Sequence, residues 1–331
     1  MTTPAPDYSR KWHIMAAVGM GVFLATIDGS IVNIALPTLV SDLHTDFAHI
    51  QWVVLAYLLA VTTLMLGVGR LADMRGKKSI YTAGFVIFTL GSVLCGLSNN
   101  IYALIGFRIL QAVGASMTMA LGTAIITEAF PPSERGSALG ISGTIVSVGI
   151  AIGPTLGGLI LQNLTWHWIF FVNLPIGILG TWMVTRYVPV SLPRQGQRFD
   201  FGGAATFFVA LLSLLFALTF GQDMGFSAPL VLGLFALSGI FLAAFITLEL
   251  RMAQPMLDLR LFKNDLFAVN VATGTLVFIC MAGTMILMPF YLQDILGYKP
   301  EQAGLLLSVV PIALGLTSPI SGRMSDRFGP R

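Results

Sequence analysis

Ten stretches of almost uninterrupted apolar sequence follow one another down this chain, separated by short polar links. Each is close to the ~20 residues a helix needs to cross a hydrocarbon core. They lack the apolar/polar alternation of a membrane β-strand, which excludes an outer-membrane type of barrel. The chain therefore reads as an all-α polytopic membrane protein, with spans expected at 13–36, 50–70, 79–98, 101–127, 136–161, 166–188, 201–220, 227–249, 266–292 and 302–322. Composition agrees: 10% of the residues are charged, against roughly 25% in an average soluble chain.

The same feature decides what the basic residues mean. A net charge of +3 does not point to nucleic acid, because the Lys and Arg residues sit in short clusters between apolar runs rather than in an aromatic-interleaved patch. Counting along alternating links, 16 of the 18 basic residues fall on the side of the N-terminus. Lys299 falls on the other side, and Arg108 lies within a span. Positive residues are retained in the cytoplasm, so the N-terminus is expected inside, with the chain multi-pass in the cell (plasma or inner) membrane. The two cysteines, Cys95 and Cys280, both sit in apolar runs, which leaves neither a disulfide framework nor a thiolate metal site. His44 and His49 with Asp42 and Asp46 have metal-ligand chemistry but read as a solvated loop, so no metal is expected. No Walker, HExxH, GxSxG or dinucleotide motif occurs. The chain reads as a non-enzyme without cofactors.

Ionisable groups inside spans are costly, at least ~2.5 kcal/mol at a helix centre, and mark function by default. Two stand out. Asp28 lies nine residues before Pro37, taken as the outer end of the first span, hence ~13 Å deep. Arg108 lies eight residues after Asn100, hence ~12 Å deep. Opposite charges at one depth can pair, either as a static lock between helices or as a pairing exchanged for a proton or a cationic cargo. Asn33, Gln51, Tyr57, Gln111 and Asn270 are candidate cavity residues, though such groups also hydrogen-bond between helices.

An internal repeat bears on architecture. GRLADMRG at 69–76 returns as GRMSDRFG at 322–329, each copy closing a span on the same side, as in transporters built from repeated helical halves. Together with LATIDGSIVNIALP at 24–37, FRILQAVGASM at 107–117, GIAIGPTLGG at 149–158 and WHWIFFVNLPIG at 166–177, these motifs resemble the major facilitator superfamily. Within it they are most similar to the 14-helix drug:proton antiporter branch, the EmrB/QacA-like multidrug exporters.

That resemblance implies a six-helix half at 1–188, a two-helix insert with linkers at 189–265, and the first two helices of an incomplete second half at 266–331. About four spans of the family pattern would then be missing, as in a truncated product. It implies proton-coupled efflux of lipophilic small molecules, cationic ones among them, by alternating access, with Asp28 and Arg108 in proton or substrate binding. The loop Gly69, Arg70, Asp73, Gly76 and Lys77 would act in gating, with Arg135 as partner and Asp73 capping a neighbouring helix. Gly149, Gly153, Pro154, Gly157 and Gly158 would form the bent antiporter helix; read from the residues alone they are a small-residue packing face. Rival readings are a proton-coupled metabolite symporter or exporter and a non-transporting remnant. The sequence identifies no periplasmic or outer-membrane accessory protein.

Overall fold

A computed structural model describes residues 8–190, 200–252, 255, 257–297, 306 and 309–329. The linker residues 191–199, Gln254, Lys299, Glu301 and Arg331, together with the beginning of the tenth expected span, lie outside the described residues. The fold is helical, and eight helices are long and apolar enough to cross a membrane among the described residues. We number the long helices α1 (Lys11–Asp42), α2 (Trp52–Arg75), α3 (Lys77–Gly96), α4 (Ile101–Ala129), α5 (Arg135–Asn163), α6 (Asn173–Tyr187), α7 (Phe201–Met224), α8 (Pro229–Arg251), α9 (Asp265–Phe290) and α10 (Val309–Phe328). Short helical turns at Phe47–Ile50 and Trp168–Phe171 precede α2 and α6.

Two boundaries differ from the sequence reading. Pro37 does not end α1, which continues to Asp42. A proline is tolerated inside a membrane helix when neighbouring elements satisfy the freed carbonyl. The segment after α2 is hardly a loop: α2 runs on to Arg75, Gly76 alone breaks the helix with φ 91°, and α3 starts at Lys77. Only glycine adopts that left-handed conformation without strain. The second copy of the repeat behaves the same way, with Gly329 at φ 80°. The two glycine N–H groups donate to equivalent carbonyls, Gly76 to Ala72 at 2.8 Å and Gly329 to Ser325 at 3.0 Å.

Helices α1 to α6 pack around two apolar clusters. One gathers Val18, Tyr81, Phe85, Phe88 and Ile126; the other gathers Ile31, Leu39, Val53, Leu104 and Phe170. Close crossings depend on missing side chains. A Cβ at Gly114 would run into the backbone of Phe88 and Gly84, and one at Gly91 into the backbone of Gln111, so α3 and α4 approach to backbone contact there. Helices α7 and α8 form a hairpin set against α2, where Trp52 meets Phe216 and Phe220 at centroid distances of 5.8 and 6.1 Å. Asp200 caps α7 by accepting from Gly203 N–H at 2.7 Å, an orphan donor of the first turn. Helix α10 packs along α5, where Thr144 Oγ1 donates to the Gly315 carbonyl at 3.0 Å.

The candidate transport site

Arg108 lies about two turns into α4. It is buried, at 1% exposure, and Asp28 of α1 is fully buried opposite it. The guanidinium Nη1 donates to Asp28 Oδ2 at 2.6 Å and to Gln111 Oε1 at 2.7 Å, and Nε donates to the Val53 carbonyl of α2 at 3.1 Å. Arg108 and Gln111 sit three residues apart on one helical face. Gln111 completes a ring, its Nε2 donating to Asp28 Oδ1 at 2.9 Å. Tyr57 of α2 lays its ring 4.1 Å from the guanidinium carbon, a cation–π contact strengthened by the burial of both side chains.

Asp28 has a third donor that the sequence reading left without a role. Asn173, at the first position of α6, donates through Nδ2 to Asp28 Oδ1 and to Ser92 Oγ, both at 3.0 Å. Ser92 in turn donates to the Phe170 carbonyl at 2.8 Å. Cys95, excluded above from disulfide and metal roles, lies on the rim of this network with Sγ 3.8 Å from Gln111 Oε1. Helices α4 and α6 thus meet the carboxylate of α1 directly, and α2 and α3 join the network through Arg108 and Asn173. Three of the carboxylate's roughly four lone-pair positions are filled by donors. Two buried polar atoms here have no partner among the described residues, Asn173 Oδ1 and Tyr57 Oη.

The other candidates divide. Tyr57 and Gln111 join the network. Asn33 and Asn270 are exposed and donate back to their own helices, to Gly29 at 3.1 Å and to Leu266 at 2.8 Å. Gln51 is half-buried at the start of α2, without a side-chain cap. His49 pairs locally with Asp46 at 2.7 Å, and among the described residues no group of three His, Cys, Asp or Glu side chains is placed to hold a metal.

The glycines of α5 form a contact with α1. A Cβ at Gly149 would collide with Thr26, at Gly153 with Ser30, and at Gly157 with Ile31, whereas Gly158 faces open space. Ser30 Oγ also donates to the Gly149 carbonyl at 3.2 Å. Pro154 lies inside α5 on its exposed side.

At the end that carries the N-terminus, the expected pairing of Asp73 with Arg135 is not formed. Arg135 Nε donates to the Thr127 carbonyl at 2.8 Å, and Lys77 pairs with Glu128. The helix cap is made instead by the second copy of the motif. Asp326 accepts from the backbone N–H of Gly136 and Ser137, both at 2.7 Å, at the positive N-terminal end of α5. Burial works against its charge, but the Ser137 and Gly136 hydrogen bonds outweigh that and hold the carboxyl below the usual carboxylate range. Gly322 and Gly136 touch backbone to backbone and permit the approach. Its counterpart Gly69 has open space where a Cβ would stand.

A large apolar cavity of about 1040 Å³ lies on the same side, lined by Leu64, Val68 and Leu71 of α2, Val113 and Met117 of α4, and Phe201, Phe207 and Phe208 of α7.

Known proteins resemble this chain over nearly its whole length. The chain is 40% identical over 323 residues to the riboflavin transporter RibZ of Clostridioides difficile (strain 630), covering 97% of this chain and 70% of that protein. It is 34% identical to the multidrug transporter protein MdtP of Bacillus subtilis (strain 168), and 35% identical to the multidrug resistance protein Stp of Mycobacterium tuberculosis. These matches cover 97% and 96% of this chain, and the chain spans 59% of either relative. Among solved structures, the proton:xylose symporter XylE shares the fold with a TM-score of 0.62 at 13% identity, over 97% of this chain and 70% of XylE. The Major Facilitator Superfamily profile matches residues 18–248 and 271–331, and the chain belongs to that superfamily.

Proposed function

We propose that this protein is a secondary active transporter that exports lipophilic small molecules in exchange for protons, with the N-terminus in the cytoplasm. One observation carries the reading: a membrane-embedded carboxylate, Asp28, is held by three donors from two other helices, one of them the guanidinium of Arg108. Protonation of Asp28 removes the negative charge that the Arg108 guanidinium faces and weakens that pairing, so protonation and helix rearrangement are coupled. Arg108 keeps acceptors when that happens, in Gln111 Oε1 and the Val53 carbonyl. Asn173 Oδ1, beside this network, is a buried acceptor without a partner among the described residues.

The apolar cavity beside α4 supports a lipophilic cargo, since it sets three phenyl rings of α7 opposite Val113 and Met117 on the helix that carries Arg108. Asp326 at the N-terminus of α5 supports a latch between α5 and α10 that opens as helices rock. The motifs quoted above support placement in the 14-helix antiporter branch, with α7 and α8 as its extra pair.

A second reading rests on the 40% identity to a riboflavin transporter, which makes a planar heteroaromatic metabolite the rival cargo. The experiment uses everted vesicles containing the full chain and a lumenal pH dye. Addition of a lipophilic cation to acid-loaded vesicles is expected to alkalinise the lumen. Riboflavin eliciting the proton flux while lipophilic cations do not favours the second reading; flux with neither refutes proton-coupled transport of both cargoes.

A further inference from the structure

A second built feature lies at the N-terminal end of the bundle, away from the Asp28 pair. A cavity of about 480 Å³ opens between the ends of α1, α3, α4 and α6. Its charged wall is Arg10, Lys77, Lys78 and Arg186, with one carboxylate, Glu128. Glu128 is engaged by Lys77. Lys78 is anchored between α3 and α6 by donating to the Thr185 carbonyl at 2.7 Å. Arg186 lies 5.9 Å from the centre of the Tyr187 ring, which stacks on His13 at 4.7 Å. Four cations around one hollow, with a single carboxylate among them, make a positive well that attracts an anion.

The hollow has an apolar continuation. A neighbouring cavity of about 520 Å³ shares Lys78 and Val190 with it and runs along the outer face of α3 past Thr82, Ala83, Val86 and Ile87. The positions from Ser79 to Ile87 form one helical stripe and reach ~12 Å along the axis. Val86 is 41% exposed, so the groove faces outward from the bundle. A cationic hollow joined to an apolar groove matches the two ends of a lipid rather than a free ion. We propose that an anionic phospholipid binds here, its phosphodiester against Arg10, Lys78 and Arg186 and one acyl chain along α3. Basic pockets between membrane helices take anionic headgroups in this way. The site requires only that the chain span a bilayer, so it stands apart from the direction and coupling of transport.

The test is native mass spectrometry of the full chain released from detergent with added phosphatidylglycerol, phosphatidylcholine or inorganic phosphate. Phosphatidylglycerol is expected to be retained over phosphatidylcholine. Lys78→Gln and Arg186→Gln are each expected to weaken that binding about fivefold. Val86→Trp keeps every charge and fills the groove, and it should weaken binding too, while Arg260→Gln at another basic cluster should not. Equal retention of the two lipids by the unmodified chain would overturn the proposal without reference to any variant. Unchanged binding in both charge variants would do the same. Inorganic phosphate displacing the lipid completely, with no effect of Val86→Trp, would reassign the hollow to a free anion.

Discussion

Asn173 and Asp28 meet at 3.0 Å across 145 residues of chain, so the start of α6 is tied to the middle of α1 through one carboxylate oxygen. Asn173 is also the link to Ser92 on α3. A donor to a charged acceptor contributes roughly 1.5–3 kcal/mol. Asn173→Ala is therefore expected to lower the thermal midpoint of the purified protein and to slow substrate-driven proton flux. Asn173→Gln, which keeps the amide but lengthens the reach, should recover only part of either. A midpoint and flux unchanged in Asn173→Ala would remove the residue from the site.

Asp28 and Arg108 are predicted to separate folding from coupling. Removing one member of a buried ion pair strands the other and costs about 3–5 kcal/mol, so Arg108→Ala should be poorly stable as well as inactive. Asp28→Asn takes away the charge but keeps an oxygen that can accept from Arg108, so it should insert and fold while losing proton-coupled flux. Arg108→Lys replaces a fork that bonds Asp28, Gln111 and Val53 together with a single ammonium, and is expected to fold without restoring coupling. Thermal midpoints and vesicle pH traces on the three variants check this. Normal coupling in Asp28→Asn would make the pair a structural lock.

The sequence reading reached the Asp28–Arg108 pair because a charge inside an apolar run is conspicuous and its burial cost is known. It did not reach Asn173, Ser92 or Cys95 as members of the site, since neutral polar groups in spans are ordinary and only packing decides which of them meet. The one available signal was the position of Asn173 immediately before Leu174 and Pro175, where a helix begins and a side chain is free to cross to another helix. Eight of the ten expected spans return as long apolar helices among the described residues, but the end of α1 was misplaced because a proline reads as a stop in water and not within a packed membrane bundle. The repeat was also legible, yet two copies of one motif look equal in sequence. Only the contact with Gly136 distinguishes Asp326 from Asp73.

The glycines of α5 offer a sharper test of packing. Gly153 faces Ser30 with no room for a Cβ, and Gly158, five residues on, faces open space. Gly153→Leu should force α1 and α5 apart, with the ~1–3 kcal/mol or more that overpacking brings. It should also disturb Asp28, two residues before Ser30. Gly158→Ala should leave stability unchanged or slightly raised, as alanine favours the helix by up to ~1 kcal/mol. Equal thermal midpoints for the two variants would show that the α1–α5 contact is not tight in the membrane.

Asp326 makes the last prediction, and its sign follows from its hydrogen bonds. The acceptor contacts to Gly136 and Ser137 lower its titration in the folded protein, so the stabilisation it contributes is complete above the unfolded value of ~3.9. It is lost as the pH falls through the lower folded value. Between neutral pH and about 5, the junction of α5 and α10 should therefore show no titration from this group, and hydrogen exchange at Gly136 and Ser137 should stay slow. Asp326→Asn retains an oxygen for one N–H but not the charge that faces the helix end, and should speed exchange at both amides throughout that range. Asp73→Asn, whose parent carboxylate caps no helix among the described residues, should leave them as they are. Acceleration by Asp73→Asn rather than by Asp326→Asn would invert the assignment and make the first copy of the motif the latch.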